Sequence, residues 1–417
     1  MSRTDTIVSD FSDFVLEAPT AFHAAAAVRD TLASSGFRVL SELDDWPTEP
    51  GRYVVVRDGA VVAWRIPEGA SSTTPFRIIG AHTDSPGFRL KPNPSMRSVG
   101  WEQLSVEVYG GPILSTWFDR DLRIAGRVVD ADGGERLVAT GAVARIANLA
   151  IHLDRGANDS NGIDRQRHLI PIVATDNSER EAGAWLADIV GRSAVSWDLS
   201  LADSQRPCRV GAYDEFLAAT RMDNLTSVHA GLHALLHAEP STSHIPILAA
   251  FDHEEIGSAT PSGAQGPMLE EILQRIQSGL GASASDMARA RRASWMVSSD
   301  AGHLVHPNYA EKHDPTNQPR PGGGPLLKIS ANQRYVTGAP GAALWESVCR
   351  RAGIAYQSFV NHNGVPGGST IGPLASTRLG IPTVDVGVGL LSMHSIRELV
   401  HIDDLAALHA ALRAFLD

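Results

Sequence analysis

The sequence predicts an α/β protein in which a mostly parallel sheet is covered by helices on both faces and a second, β-rich domain is inserted into the first. Three observations predict this fold class. Strand-like apolar runs alternate with helical periodicity in the first and last parts of the chain. The stretch between them is dominated by β-type patterns. The 417 residues are also enough for about two domains.

The first part of the chain begins with a helical pattern. Apolar residues recur at three- and four-residue steps between Phe11 and Leu32, and Gly36 follows as a helix stop. Asp58-Gly59 is typical of a hairpin turn between two strands. Strands are predicted at 53–56, 61–66 and 76–79.

A β-rich insertion is predicted over residues 93–216, with one helix near 179–189. Its start is placed at Lys91-Pro92-Asn93-Pro94, a segment expected to break any regular element. The α/β pattern then returns, so the first domain comprises 1–92 and 217–417. In the second of these parts, strands are predicted at 245–250, 295–299, 326–329 and 383–386, and helices at 225–237, 269–277, 342–352 and 402–416.

Composition disfavours several classes of protein. Asp and Glu number 47 against 36 for Lys and Arg, whereas nucleic-acid binders usually carry a basic excess. Cys208 and Cys349 are too few for a disulfide scaffold or a four-thiolate zinc site, and they fit a reducing compartment. No apolar run approaches the ~20 residues of a membrane span, and the N-terminus lacks the apolar core of a signal peptide. We expect a cytoplasmic protein that binds neither nucleic acid nor membrane.

Acidic and imidazole side chains follow several predicted strands, where α/β sheets place their ligands. The phosphate-loop, dinucleotide, GxSxG and HExxH motifs are absent from the sequence. Two histidines and three carboxylates suit two divalent ions that share a bridging carboxylate, an arrangement common in hydrolases. The candidate residues are His82, Asp84, Asp223, Glu254, Glu255, Asp300 and His394.

Each candidate alone also has a structural explanation. Most histidines are hydrogen-bonded or exposed rather than metal ligands, and Asp223 and Asp300 are of a type that caps helices. Glu254 and Glu255 are harder to explain in this way. Adjacent carboxylates directly after an apolar strand repel each other unless a cation or a proton compensates.

Six motifs, in this order along the chain, resemble those of the M18 metallopeptidases, the aspartyl aminopeptidases. They are GAHTDSP, RMDNLTS, EEIGS, SSDAGHLVHPNY, ISANQRY and SMHSIRE. The resemblance implies a phosphorylase/hydrolase-like catalytic domain, a mixed sheet flanked by helices, with an inserted β-rich dimerisation domain. It also implies two zinc ions and a tetrahedral homododecamer built from dimers.

The resemblance also implies roles for individual residues. Asp223 would bridge the two ions, Glu254 would be the general base, and Asp84 would orient His82. His82 and Asp300 would complete one metal site, and Glu255 and His394 the other. The implied metal ligands are thus His82, Asp223, Glu255, Asp300 and His394.

Four further residues resemble substrate-contacting positions. His152 resembles a family histidine that enters a neighbouring subunit's active site, although a histidine with a purely structural role is also possible. His303, Lys328 and Tyr335 resemble positions of the substrate pocket. Lys328 is the natural partner for an acidic side chain at the substrate's N-terminal residue (P1), because a buried ammonium penalises apolar or basic side chains.

These implications predict a dinuclear-metal aminopeptidase that removes N-terminal residues, preferably Asp or Glu, from peptides. Zn²⁺ is the expected metal, and Co²⁺ or Mn²⁺ suit the same ligands. One alternative is a related carboxypeptidase or N-acyl amino-acid deacylase, which should carry an arginine clamp for the substrate carboxylate. A remote alternative is a catalytically silent assembly protein, which should have lost Glu254 or a ligand.

Overall fold

A computed structural model describes residues 2–159, 162–176, 183–191, 193–239 and 241–417. The chain divides into two units. The first comprises Met1–Asp84, Pro207–Met393 and Glu398–Asp417, and the second comprises Ser85–Arg206 and His394–Arg397. The second unit therefore begins before residue 93, and its long segment ends before residue 216, the bounds expected for the insertion. It also includes residues 394–397, which the expectation had assigned to the first domain.

The regular elements of the described residues are numbered in chain order. The strands are β1 Arg38–Val39, β2 Gly51–Arg57, β3 Ala60–Ile66, β4 Phe76–His82, β5 Gly87–Ser98, β6 Trp101–Tyr109, β7 Leu122–Asp130, β8 Glu135–Ala139, β9 Ile172–Thr175, β10 Ala194–Asp203, β11 Cys208–Val210, β12 Phe216–Ala219, β13 Ile245–Phe251, β14 Trp295–Ser299, β15 Gly302–His303, β16 Leu326–Lys328, β17 Gln357–Phe359, β18 Thr383–Gly387, β19 Gly389–Leu391 and β20 Glu398–His401. The helices are α1 Arg3–Glu17, α2 Ala21–Ser34, α3 Ala184–Val190, α4 Met222–His237, α5 Met268–Gly279, α6 Ala284–Ala293, α7 Ala339–Ala352, α8 Ile371–Leu379 and α9 Ile402–Leu416.

The first unit is built on a nine-stranded mixed sheet in the order β1-β2-β3-β13-β4-β14-β18-β16-β17. Its central neighbours β13, β4, β14 and β18 run parallel. The pairs β2–β3, β3–β13 and β16–β18 are antiparallel. The mixed α/β sheet expected from the sequence is confirmed. A smaller sheet in the same unit has the order β11-β12-β20-β19-β15.

Helices cover both faces of the large sheet. Successive side chains of a strand point to opposite faces, so neighbouring residues of one strand pack against different helices. On β2, Val54 belongs to the apolar core formed with α1, α2, α4, α7 and α9. Its neighbours Tyr53 and Val55 belong to the core formed with α5 and α8. Strands buried on both faces explain the unbroken apolar runs in the sequence.

Two local predictions in the first part of the chain can be followed in detail. The hairpin at Asp58-Gly59 is confirmed, since Arg57 pairs with Ala60 and Asp58 has a φ of 54°. A β-carbon at Gly59 would lie 2.4 Å from a carboxylate oxygen of Asp252, so a side chain would be excluded there. The helical opening is divided into α1 and α2, because Thr20 caps a new helix by accepting the His23 N–H.

The second unit contains a six-stranded antiparallel sheet in the order β8-β7-β10-β5-β6-β9. The expected break at Lys91-Pro92-Asn93-Pro94 is wrong, because these residues lie inside β5. The pairing of β5 with β6 shifts register between Leu90 and Ser95, so the prolines fall where the ladder is irregular. The helix expected near 179–189 corresponds to α3, although 177–182 lie outside the described residues.

No helix in the described part of the chain is both long enough and apolar enough to cross a membrane.

Candidate metal centre

Most candidate residues of the first unit lie where neighbouring parallel strands end. His82 is the last residue of β4 and pairs in register with Phe251, the last residue of β13. Asp300 directly follows β14, and its N–H donates to the Val386 carbonyl at 2.9 Å. Because β13, β4 and β14 are adjacent and parallel, their carboxyl ends meet at one edge of the sheet. The side chains that follow them are thereby brought together.

Asp84 holds the turn that carries the two glutamates. Its carboxylate is 3% exposed and accepts the Glu254 N–H at 3.0 Å and the Glu255 N–H at 3.1 Å. The same carboxylate lies 3.4 Å from His82 Nδ1, and the Asp84 carbonyl oxygen lies 3.1 Å from that nitrogen. Asp84 therefore positions the glutamate backbone as well as facing the histidine, and only the second of these contacts was expected.

His82 Nε2 faces two further aspartates. It lies 3.1 Å from Asp223 Oδ1 and 3.5 Å from Asp300 Oδ1. Asp223 and Asn224 depart from helical backbone angles at the start of α4, so the regular helix starts at Leu225, as predicted. The Asn224 amide then donates to the Ser299 carbonyl at 2.8 Å and ties this segment to the end of β14.

Two residues that support the site were missed by the sequence reasoning. The Glu398 carboxylate accepts the Asp223 N–H at 3.0 Å and is itself buried. The Arg221 guanidinium donates to the backbone oxygens of Ala18 and Thr83, which lie in other parts of the first unit. Both fall inside motifs already singled out, RMDNLTS and SMHSIRE. A charged residue within four positions of a candidate ligand is the signal that could have identified them.

Three of the predicted ligands form one group. A ligand atom from each of His82, Asp223 and Glu255 lies within 4.8 Å of the other two. One imidazole and two carboxylates are a donor set that zinc accepts. Asp300 is not one of the three, but its Oδ1 lies 3.5 Å from His82 Nε2.

The electrostatics of this group show a deficit of positive charge. Burial opposes the charged form of His82, but its contacts with Asp223, Asp300 and Asp84 raise its pKa well above 6.5. Burial raises the pKa of Glu254 to about 8. The positive charge of His82 opposes this rise, and the negative charges of the nearby aspartates increase it. Burial, with repulsion from Asp223, likewise raises the pKa of Glu255 well above 4.5.

The predicted pocket residues lie around two aromatic rings of the first unit, those of Tyr335 and Phe359. Lys328 is 2% exposed, and its Nζ donates to the Ala301 carbonyl at 2.5 Å. Its ammonium lies 5.4 Å from the centre of the Tyr335 ring. The Phe359 ring lies 6.0 Å from Tyr335 and 6.2 Å from His303. Ala301 directly follows Asp300, so Lys328 is tied to the chain beside a predicted ligand.

His152 and His394 belong to the second unit. His152 is exposed in a turn that also exposes the apolar residues Leu149, Ile151 and Leu153. His394 has a φ of 66°, and its Nδ1 lies 3.0 Å from the Gly111 carbonyl oxygen. The roles predicted for these two histidines stay predictions.

Comparison with known proteins shows one consistent similarity. The family model described as aminopeptidase I zinc metalloprotease (M18) matches residues 14–416. A Streptomyces avermitilis protein described as probable M18 family aminopeptidase 2 is 47% identical over 418 residues, covering 98% of this chain and 97% of that protein.

Solved structures show the same similarity. The chain in a cryo-EM structure of the Ape4 and Nbr1 complex is 34% identical, with a TM-score of 0.94, over 99% of this chain and 86% of that chain. The chain in a structure of the S. cerevisiae mApe1 dodecamer is 26% identical, with a TM-score of 0.86, over 99% of this chain and 97% of that chain.

Proposed function

Because the chain belongs to the M18 family of zinc metallo-aminopeptidases, we propose that it uses two divalent metal ions to remove N-terminal residues, preferably Asp or Glu, from peptides. Zn²⁺ is the proposed metal, and Co²⁺ or Mn²⁺ suit the same donors. Asp223 is proposed to bridge the two ions. The proposed ligands are His82, Asp223, Glu255, Asp300 and His394.

The observation that carries this proposal is the concentration of carboxylates around one buried imidazole. His82 is 1% exposed and faces Asp84, Asp223 and Asp300. The raised pKa of Glu254, to about 8, reflects the cost of burying a further negative charge beside them. A single imidazolium does not balance these groups. Divalent cations would, and histidine with carboxylate is a donor set suited to zinc.

The two adjacent glutamates are proposed to have different roles. Glu255 contributes an oxygen to the ligand group with His82 and Asp223, and among the described residues Glu254 is not part of that group. Both sit on the turn held by Asp84. This arrangement supports Glu255 as a ligand and leaves the Glu254 carboxylate available for proton transfer.

The bound ions would supply Lewis-acid polarisation of the scissile carbonyl and would make the attacking water more acidic. Glu254, ionised beside cations that lower its pKa, would accept the proton of that water and later deliver it to the departing amine. Asp84 would keep Glu254 in position through the backbone N–H that it accepts. His152 would donate a hydrogen bond to the carbonyl oxygen as charge develops there.

The acidic preference is proposed to reside in Lys328. Its buried ammonium carries three donor protons, and one is accounted for by the Ala301 carbonyl. A P1 carboxylate would be an acceptor for another, whereas an apolar P1 side chain would be buried against a charge. Tyr335, below the ammonium, and His303 would line the same pocket.

Assembly is proposed to bring His152 to its site. The second unit would be the dimerisation domain, and the exposed apolar residues Leu149, Ile151 and Leu153 beside His152 suit an interface between copies of the chain. A similar chain forms the mApe1 dodecamer. We propose the same assembly here, a homododecamer built from dimers, and a cytoplasmic location.

The proposal is tested with aminoacyl-nitroanilides, N-acyl amino acids and N-terminally blocked peptides, assayed before chelation, after chelation and after metal add-back. We expect activity on free N-terminal residues that is lost with chelator and restored by Zn²⁺, with Asp and Glu preferred. Hydrolysis restricted to N-acyl amino acids or to C-terminal residues would replace this function with the deacylase or carboxypeptidase alternative. A metal-loaded assembly that cleaves none of these substrates would indicate the silent protein.

A further inference from the structure

A cluster of histidines, separate from the candidate metal centre, lies in the first unit where α1, α4 and α9 pack together. His229 and His233 are four residues apart on α4, and Asp10 of α1 faces both. Asp10 Oδ2 lies 2.9 Å from His233 Nε2 and 3.3 Å from His229 Nε2. Ligand atoms of the three residues all lie within 4.8 Å of one another. None of them belongs to the active site proposed above.

We propose that Asp10, His229 and His233 bind a third divalent cation, of the zinc class, that ties α1 to α4. Two histidines four residues apart on one face of a helix are a recurrent zinc-binding arrangement. Zinc sits ~2.1 Å from its nitrogen and oxygen ligands, which places tetrahedral ligand atoms about 3.4 Å apart. The Asp10 oxygen lies 3.3 Å from the His229 nitrogen, close to that spacing, and 2.9 Å from the His233 nitrogen, somewhat below it. The two histidine nitrogens lie within 4.8 Å of each other.

A further histidine, His409, forms a hydrogen bond with the proposed ligand His229. His409 of α9 is buried, and its Nε2 lies 3.1 Å from His229 Nδ1. When His229 Nε2 binds a metal, Nδ1 must carry the ring proton and donate it to an acceptor, which His409 supplies. The rings of Phe11 and Phe14, each 5.4 Å from that of His229, restrict its orientation.

The cluster is accessible to an ion from outside the unit. The Asp10 side chain is 52% exposed and that of His233 is 29% exposed, whereas His229 is buried. Three protein ligands leave a fourth position for water. The competing arrangement is a hydrogen-bonded network without metal, in which His229 and His233 donate their Nε2 protons to Asp10.

Zinc content distinguishes the two arrangements. The full-length protein is stripped with chelator and dialysed against micromolar Zn²⁺, and zinc per chain is measured for the wild type, His233→Ala and the matched control His237→Ala. His237 lies one turn further along α4, is exposed and is not part of the three-residue group. We expect His233→Ala to hold one zinc fewer per chain than the wild type, and His237→Ala to match the wild type.

A second variant and a second measurement guard against a folding defect. Asp10→Asn keeps a polar side chain at a half-exposed position, and it should also hold one zinc fewer. Both Asp10→Asn and His233→Ala should show a smaller zinc-induced rise in melting temperature than His237→Ala. The active-site ions are common to all these proteins, so the differences do not depend on the proposed function.

Two results would overturn the site. Equal zinc content in all four proteins would leave only the hydrogen-bonded network. An equal loss from His237→Ala and His233→Ala would indicate nonspecific binding along the exposed histidines of α4.

Discussion

Replacing Asp84 by Asn tests how the glutamate turn is held. The carboxylate accepts two backbone N–H groups, from Glu254 and Glu255, at 3.0 and 3.1 Å. The amide of Asn has one acceptor oxygen, so one of the two N–H groups would face an NH₂ donor instead. The substitution keeps the size of the side chain while it changes these contacts and the charge that faces His82.

The expected magnitude follows from the bond that is lost. A hydrogen bond to a charged group contributes ~1.5–3 kcal/mol to stability. If the whole of that energy is lost from the stabilisation of the transition state, because the glutamates are displaced, kcat/KM falls by about 10- to 150-fold. The affinity for metal should fall too, by ~10- to 100-fold, because Asp84 supports the backbone of the proposed ligand Glu255.

Asp404→Asn is the matched control. Asp404 is also buried and also accepts two backbone N–H groups, from Gly322 at 2.9 Å and Gly324 at 2.7 Å, but it lies at the start of α9. Urea unfolding should show a similar loss of unfolding free energy in both variants. Aminoacyl-nitroanilide kinetics at saturating Zn²⁺ should show a loss of kcat/KM in Asp84→Asn alone.

Equal kcat/KM in the two variants would refute the role of Asp84 in holding Glu254 and Glu255 for catalysis. A loss of kcat/KM at limiting Zn²⁺ that disappears at saturating Zn²⁺ would restrict the role of Asp84 to the metal ligand Glu255, whereas equal values at both Zn²⁺ concentrations would leave Asp84 without either role. Zinc analysis of the assayed protein separates these two results.

Four further predictions concern other parts of the molecule. Glu254→Gln should keep its metal and lower kcat by at least ~100-fold, whereas Glu255→Gln should lose metal; the reverse pattern in metal analysis would contradict both assignments. His152→Ala should lower activity without changing metal content, and mixing it with Glu254→Gln under subunit exchange should restore some activity; no recovery despite exchange would mean that both residues act within one chain. Lys328→Ala should reduce kcat/KM for Asp and Glu substrates by ~2–5 kcal/mol and leave Ala and Leu substrates nearly unchanged, whereas a uniform loss would assign the lysine a structural role. Burial lowers the pKa of His244 below 6.5, so on acidification the unfolded chain takes up this proton before the folded chain does, and the free energy of unfolding falls as the pH drops below 6.5. Urea unfolding between pH 7 and 5 should therefore show a shallower decline for His244→Gln than for the wild type, and an equal decline would contradict the role of His244.

Elements with strong local signals could be predicted from the sequence. The apolar runs of β4, β13 and β18 and the Asp58-Gly59 hairpin depend on residues within a few positions of one another. Helix α9 was predicted with its observed bounds, Ile402–Leu416. Such signals suffice because strand burial and turn geometry are encoded locally.

Elements whose signals were weak or misleading were missed. Helix α6 begins with a capping box in which Asp286, rather than Glu or Gln, reaches back to Ser283. Helix α8 is short and contains Pro373 in its first turn. The prolines of β5 read as a break, although a register shift opposite β6 lets the strand continue. In β5, pairing with a neighbouring strand outweighed the local preference.

For the candidate site, the sequence by itself determined which chemical groups are available and in what order they occur. The histidine, the aspartates and the paired glutamates were all named as candidates from their motifs. Only the tertiary structure decided that Asp84 holds the N–H groups of residues 170 and 171 positions away. It also decided that Glu398 supports Asp223, and that Asp10 meets His229 and His233. The physical reason is that these distances depend on how strand ends and helices pack, which no local propensity encodes.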